Sequence, residues 1–184
     1  MDSSTCSIAS SITLPSGLVI PNRLCKAAMT EALGDEWGHS TDKLCRLYER
    51  WSEGGAGLLI TGNVHVDRRY IERPGNVCID GVQSPEQIEL LKKYARAGQK
   101  HNNSKIFVQL SHAGRQSNGM INLNPVGPGD IRLDLPKAYF GTPTALTVEE
   151  IINVKNRMVD AAKVCKDCGF DGVQIHSAHG YLLS

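Results

Sequence analysis

The sequence predicts an α/β fold in which parallel strands alternate with covering helices. Four short apolar segments typical of buried strands are separated by three longer segments with helical spacing and capping residues. Polar residues collect just beyond the carboxyl end of each apolar segment. A doubly wound sheet and a (β/α)8 barrel both fit this alternation. The polar residues favour the barrel, because its active site lies at the carboxyl ends of its strands, whereas a doubly wound sheet binds ligands mainly at one crevice.

Local features place these elements along the chain. Residues 11–20 predict a hairpin with its turn at Pro15-Ser16-Gly17, and Gly54-Gly55 predicts the end of the first helix. Capping residues mark the helix starts, at Ser40 or Thr41, at Ser84 before a proline, and at Thr147 with Glu150 in a capping box. The predicted strands are residues 23–29, 57–64, 105–110 and 171–176, and the predicted helices are residues 41–53, 85–101 and 148–169.

The segment from Ser117 to Thr144 is a long predicted loop that contains four prolines. Loops of this length are unusual inside a compact domain, and many of them are lids or binding loops. Residues 30–31, 63–65, 111–115 and 176–181 are the polar groups that follow the four strands. We therefore expect a binding site where these groups meet.

Composition limits the class of protein. The chain has 184 residues, 41% of them hydrophobic and 21% charged, with a net charge of +1, which fits one soluble globular domain over residues 1–184. This charge does not indicate nucleic acid or an anionic membrane as a partner. No apolar run approaches the roughly 20 residues that span a bilayer, and no export signal is evident. Six scattered cysteines predict reduced thiols, and we expect a cytoplasmic location.

The segment His176-Ser-Ala-His179-Gly-Tyr181 is the strongest chemical motif. Its histidines could be satisfied polar residues of a loop, a hydrogen-bonding pair for a substrate oxygen, or metal ligands. Cys165 and Cys168 precede them, but the spacing differs from that of zinc fingers. The cysteines and histidines are also separated by a strand about 16 Å long. We therefore predict no metal site.

Two further segments have both a structural and a functional interpretation. Gln109 interrupts an apolar strand, so its amide bonds either to neighbouring backbone or to a ligand with matching donors and acceptors, such as the edge of a flavin ring. Ala27 and Ala28 precede Thr30 and make a slim strand end. That slimness suits either tight barrel packing or the close approach of a flat ligand. No phosphate-binding glycine loop of the dinucleotide or P-loop type is present.

Four segments together resemble the old yellow enzyme family of FMN-dependent ene-reductases and NAD(P)H:flavin oxidoreductases. They are Leu18-Val-Ile-Pro-Asn-Arg-Leu24, Gly57-Leu-Leu-Ile-Thr-Gly-Asn63, Gln109-Leu-Ser-His-Ala-Gly-Arg115 and Gly169-Phe-Asp-Gly-Val-Gln-Ile-His-Ser-Ala-His-Gly-Tyr-Leu-Leu183. They occur in family order over nearly the whole chain, and the last two are highly specific. The resemblance implies a (β/α)8 barrel with FMN across its carboxyl-terminal face.

The resemblance also implies roles for individual residues. Thr30 matches the residue that hydrogen-bonds the flavin carbonyl beside N5, and Gln109 matches the side chain that contacts the pyrimidine edge. The implied cofactor-binding residues are Ala27, Ala28, Met29, Thr30, Asn63, Gln109 and His176. His176 and His179 match the pair that binds the substrate carbonyl, and Tyr181 matches the proton donor, so these three are the implied catalytic residues. NAD(P)H is the implied reductant, and an α,β-unsaturated carbonyl compound is the implied substrate.

The end of the sequence at Ser184 raises a further expectation. A barrel of this class has about 250 residues, so we expect the first half of an FMN-binding barrel domain. Open strand edges would then favour self-association, and FMN binding would be weak because loops after the seventh and eighth strands usually build the phosphate site. The sequence leaves two alternatives open: a non-catalytic half-barrel that pairs with itself or a partner chain, and a small α/β enzyme that uses His112, His176 and His179 with a metal.

Overall fold

The computed structural model describes residues 7–135 and 139–184, and its central feature is a parallel sheet flanked by helices. An antiparallel hairpin precedes the sheet, as predicted for residues 11–20. In chain order the elements are β1 (Ile12–Thr13), β2 (Val19–Ile20), β3 (Cys25–Lys26), α1 (Asp42–Glu53), β4 (Leu58–His65), α2 (Pro85–Gly98), β5 (Lys105–Ser111), a 3-10 turn (Gly114–Gln116), β6 (Val126–Gly127), β7 (Thr144–Ala145), α3 (Val148–Asp167) and β8 (Gly172–Ile175).

The four strands of the sheet run parallel in the order β3-β4-β5-β8. The predicted alternation of strands and helices is thereby confirmed. The first strand is shorter than predicted, because only Cys25 and Lys26 of residues 23–29 pair with β4. The register between β4 and β5 shifts between Ile60 and Asn63, and the chain after Lys26 leaves the ladder. It then passes against Gly62, where an added Cβ atom would collide with the Met29 carbonyl oxygen.

Side-chain caps start each of the long helices where the sequence predicts them. The Thr41 and Ser84 hydroxyls accept hydrogen bonds from backbone N–H groups of α1 and α2, and Thr147 forms a complete capping box with Glu150 on α3. Helix α2 ends at Gly98 rather than at residue 101. The chain turns soon afterwards through Asn102 and Asn103, whose positive φ angles do not continue a helix.

One hydrophobic core joins the three long helices to the same face of the sheet. Leu59 and Ile106 pair across β4 and β5, and both are fully buried in this core. Their neighbours Leu58 and Phe107 alternate to the other face and are only partly buried. Helices on one face are typical of a barrel wall, whereas a doubly wound sheet carries helices on both faces.

The predicted long loop contains more structure than the sequence indicates. Strand β6, within this loop, pairs in parallel with β7 at its carboxyl end, and Asn118 forms an isolated bridge with Phe140. Residues 136–138 of this loop lie outside the described residues. Among the helices of the described ranges, none is long and apolar enough to cross a membrane.

Candidate functional site

The residues singled out by the sequence meet at the carboxyl end of the sheet. Asn63, Gln109 and Gln174 are register partners on β4, β5 and β8, so they lie side by side across three strands. Thr30 follows β3, and His176 follows β8. The parallel arrangement therefore brings residues that are far apart in sequence to a single edge.

Gln109 is buried and only half satisfied. Its Nε2 atom donates a hydrogen bond of 2.8 Å to the Gln174 side chain, while its Oε1 atom has no partner among the described residues. Leaving a buried acceptor unpaired costs about 1–3 kcal/mol. An amide oxygen in this state suits a ligand that presents an N–H group.

Thr30 and Asn63 converge on a residue that the sequence analysis did not identify, Glu72. The Glu72 Oε2 atom accepts hydrogen bonds from Thr30 Oγ1 at 2.8 Å and from Asn63 Nδ2 at 2.9 Å. Glu72 belongs to the segment between β4 and α2, next to Arg73 and after the run Asp67-Arg68-Arg69. Such a charged stretch is typical of a solvated loop, so no sequence pattern indicated a site residue.

The predicted catalytic residues form one cluster in the turn after β8. The ring centroid of His176 lies 5.4 Å from that of His179 and 4.8 Å from that of Tyr181, in edge-to-face geometry. His176 is buried, Tyr181 is partly buried and His179 is exposed. His179 and Gly180 adopt positive φ angles, and the Gln116 side chain donates to the His179 carbonyl oxygen at 2.6 Å. This turn keeps both imidazoles and the phenol together.

Burial determines the protonation states in this cluster. Desolvation and the neighbouring His179 lower the pKa of His176. Desolvation and the negative charge of Glu72 raise the pKa of Tyr181, and a hydrogen bond with Asn63 partly offsets that increase. At neutral pH the site therefore presents a neutral His176 imidazole beside a protonated Tyr181 phenol.

Ala27, Ala28 and Met29 form an extended segment between β3 and Thr30. Ala27 and Met29 are exposed and Ala28 is partly buried. The segment borders the end of β4 at Gly62, as the sequence predicts for a slim strand end. All nine predicted site residues therefore lie at the same end of the sheet, and their roles stay predictions.

The cysteines of the rejected zinc alternative lie elsewhere. Cys165 and Cys168 are buried at the end of α3, before β8, whereas His176 and His179 follow β8. His112 also faces another region, because its ring stacks on Tyr70 and its Nδ1 atom accepts a hydrogen bond from the Gly114 backbone N–H. Within residues 7–135 and 139–184, no metal-binding group of His, Cys, Asp or Glu side chains is found.

Two buried histidines predict that the protein loses stability in mild acid. Burial lowers the pKa of His65 to about 3 and that of His112 to about 4, below the value of about 6.5 in an unfolded chain. The folded state therefore keeps both rings neutral, and their stabilisation is present above pH 6.5 and lost as the pH falls. We expect the free energy of unfolding to fall by up to about 1.4 kcal/mol per pH unit for each ring.

Urea unfolding between pH 7.5 and pH 5 measures this dependence. The variant His65→Gln should reduce the slope by about half, since one of the two rings no longer titrates. Val82→Gln, at a fully exposed position between β4 and α2 that carries no ionisable group, is the control and should leave the slope unchanged. A wild-type stability that stays constant over this range would contradict the prediction.

Comparison with known proteins identifies the family. The model of the NADH:flavin oxidoreductase / NADH oxidase family matches residues 11–184. The chain belongs to this family. NADH-dependent flavin oxidoreductase iliE of Hypocrea jecorina is 37% identical over 188 residues, which cover 94% of this chain and 46% of that protein. NADH:fumarate oxidoreductase of Klebsiella pneumoniae is 33% identical over 173 residues, which cover 93% of this chain and 18% of that protein.

A solved structure of the old yellow enzyme homologue from Zymomonas mobilis has the same fold over 96% of this chain, with a TM-score of 0.81 and 26% identity, and the match covers 50% of that protein. The chain thus spans about half the length of iliE and of the Zymomonas mobilis homologue, and a smaller share of NADH:fumarate oxidoreductase. Its parallel strands and helices correspond to about half of an old yellow enzyme barrel, which confirms the predicted fold class. The family also confirms that the chain is related to flavin oxidoreductases.

Proposed function

We propose that this chain forms the flavin-ring and substrate half of an FMN-dependent oxidoreductase that passes hydride from NAD(P)H to an activated alkene. The observation that carries the proposal is the convergence of Thr30, Asn63, Gln109, His176 and Tyr181 at the carboxyl end of one parallel sheet. Catalytic residues of (β/α)8 barrels come from the ends of several strands at this face.

The residues at this edge fit the flavin ring. The Gln109 Oε1 atom has no partner among the described residues and suits the N–H of the pyrimidine edge. Ala27, Ala28 and Met29 line the edge with little bulk, and Thr30 and Asn63 offer polar side chains beside them. His176 borders the same edge, after β8. When bound, FMN supplies the hydride chemistry, while these residues bind and orient it.

The cluster after β8 suits a substrate carbonyl. His176 and His179 lie close enough for both imidazoles to donate to one oxygen and stabilise the negative charge that develops there. Tyr181 stays protonated at neutral pH and can supply a proton to the carbon next to the carbonyl. The similarity to NADH:fumarate oxidoreductase supports an alkene conjugated to a carbonyl or carboxyl group as the substrate class.

A cavity of about 520 Å³ next to Tyr181 provides room for such a substrate. Its walls include Met120, Tyr139 and Phe140 of the long loop, together with Glu72 and Arg73. Apolar and aromatic walls with a few polar groups are typical of small-molecule sites. The sequence-predicted binding loop therefore borders the proposed substrate site.

Binding of FMN to the chain tests the proposal. We expect a saturable change in the visible spectrum of added FMN, and the variant Gln109→Leu should weaken binding on the order of tenfold, because about 1.4 kcal/mol of hydrogen bonding is lost. Lys163→Ala, on the exposed face of α3, is the control and should bind as the wild type does. A visible spectrum of FMN that is the same with and without the chain, at every FMN concentration tested, would contradict the proposal.

A second candidate function is that of a non-catalytic half-barrel that pairs with another copy. An apolar recess of about 420 Å³ between α3 and the end of β8 favours it, and Ile151 and Ile175 are half-exposed there. A dimer that leaves the FMN spectrum unchanged would favour this candidate.

Under both candidate functions we propose a cytoplasmic location, because the five cysteines within the described residues are unpaired.

A further inference from the structure

We infer that Glu72 is a positioning residue of the proposed site, whose carboxylate orients the Thr30 hydroxyl and the Asn63 amide and sets the charge beside His176 and Tyr181. This inference deepens the proposed function and depends on it for its chemical meaning. The contacts that support it do not depend on the identity of the cofactor.

The Glu72 carboxylate is fully engaged on both oxygens. Its Oε2 atom accepts from Thr30 at 2.8 Å and from Asn63 at 2.9 Å, and its Oε1 atom accepts from the Arg73 guanidinium at 3.0 and 2.6 Å. Only 14% of its side chain is exposed. Charge-assisted hydrogen bonds are roughly twice as strong as those between neutral groups, so these contacts hold the carboxylate in place. The contacts tie the segment after β3 to the end of β4.

The backbone of Glu72 is anchored in the core, which determines where its side chain lies. Its N–H donates to the Nε2 atom of fully buried His65 at 3.2 Å, and the next N–H, that of Arg73, donates to the Asn76 side chain at 2.9 Å. The charge at the site is therefore built into the fold rather than carried by a freely rotating side chain.

The hydrogen-bond direction at Thr30 has a chemical consequence. Because the Thr30 hydroxyl donates its hydrogen to Glu72, its oxygen offers only lone pairs to other groups at the site, so it donates to a flavin carbonyl, the role that the resemblance implies, only when the hydroxyl turns away from Glu72. Asn63 likewise commits an amide N–H to Glu72. Glu72 thus decides which donors and acceptors these two side chains offer to a ligand.

The Glu72 carboxylate shifts the pKa values of His176 and Tyr181 in the same direction. The groups that face His176 are His179 and Tyr181 from its own turn, His65 from β4, and Glu72. Of these, Glu72 is the negative charge that raises the pKa of His176, and it also raises the pKa of Tyr181, which Arg73 opposes. Removal of the carboxylate should therefore lower both pKa values.

The test is the titration of His176 in the flavin-free 184-residue chain, followed by NMR of its imidazole between pH 4 and pH 8. In Glu72→Gln, which keeps the size but removes the charge, we expect the His176 midpoint to move to lower pH. In Glu72→Asp, which keeps the negative charge, the His176 midpoint should lie closer to the wild-type value than in Glu72→Gln. Glu89→Gln, which removes an exposed carboxylate on α2, should leave the midpoint unchanged. An unchanged midpoint in a folded Glu72→Gln variant would overturn the inference.

A second variant keeps the test decisive if Glu72→Gln fails to fold. Arg73 is half-exposed, and Arg73→Gln leaves the Glu72 charge uncompensated, so the His176 midpoint should move to higher pH. A midpoint that stays in place or moves to lower pH would count against the inference.

Loading with FMN separates this inference from the proposed function. If FMN binds, its reduction potential should be more positive in Glu72→Gln than in the wild type, because a negative charge near the ring has been removed. If FMN does not bind but the His176 midpoint moves as expected, the proposed function fails and the electrostatic role of Glu72 stands. If FMN binds and neither the midpoint nor the potential changes, the inference alone fails.

Discussion

Under the proposed function, replacement of Tyr181 by phenylalanine is expected to lower the rate of alkene reduction by about 10²–10⁴-fold in the FMN-loaded protein, because a positioned general acid contributes about that factor. The phenol lies edge-to-face on His176, and burial together with Glu72 raises its pKa, so it holds its proton at neutral pH. The measurement is stopped-flow reoxidation of the reduced flavin by 2-cyclohexenone.

Tyr70→Phe is the matched control for this prediction, because it deletes the same hydroxyl group from a ring that stacks on His112. We expect its rate to stay close to that of the wild type, because only interactions that are stronger in the transition state than in the ground state accelerate the chemical step. Equal losses in both variants would show that the effect is structural, and wild-type rates in Tyr181→Phe would remove this residue from the reaction.

Replacement of Leu59 by alanine is expected to lower the free energy of unfolding by about 3 kcal/mol, within the range of about 2–5 kcal/mol for buried Leu-to-Ala changes. Leu59 is fully buried where β4 meets the core that joins the helices. The change removes buried apolar surface and leaves a cavity that close-packed neighbours fill poorly. Urea denaturation of the two proteins at neutral pH gives the difference.

The adjacent residue provides the control. Leu58 alternates to the partly buried face of the same strand, so Leu58→Ala should cost less than about 1.5 kcal/mol. Similar losses at both positions would mean that the two faces of the sheet are equally packed. That outcome would contradict the description of one helix-covered face.

The sequence predicts the helices well because their start signals are local. Thr41, Ser84 and Thr147 each bond to a backbone N–H three residues later, so the information lies within one turn of chain. The end of α2 is predicted less well, because the chain turns there through two asparagines whose left-handed conformation is not required by their residue type. The first strand is also too long in the prediction, because the number of its residues that pair is decided by β4, which lies far later in the chain.

The sequence by itself predicted the alternation of strands with helices and the types of residue that follow each strand. The motif around Gln109 and the motif around His176 and Tyr181 were identified from their residues, and register partners then bring the strand ends together. Only the tertiary structure placed Glu72 between Thr30 and Asn63, left Gln109 Oε1 unpartnered within the described residues, and put all three long helices on one face. The physical reason is that caps and alternation are short-range properties of the chain, whereas hydrogen bonds between Glu72 and a residue 42 positions earlier form only when the packed core fixes both backbones.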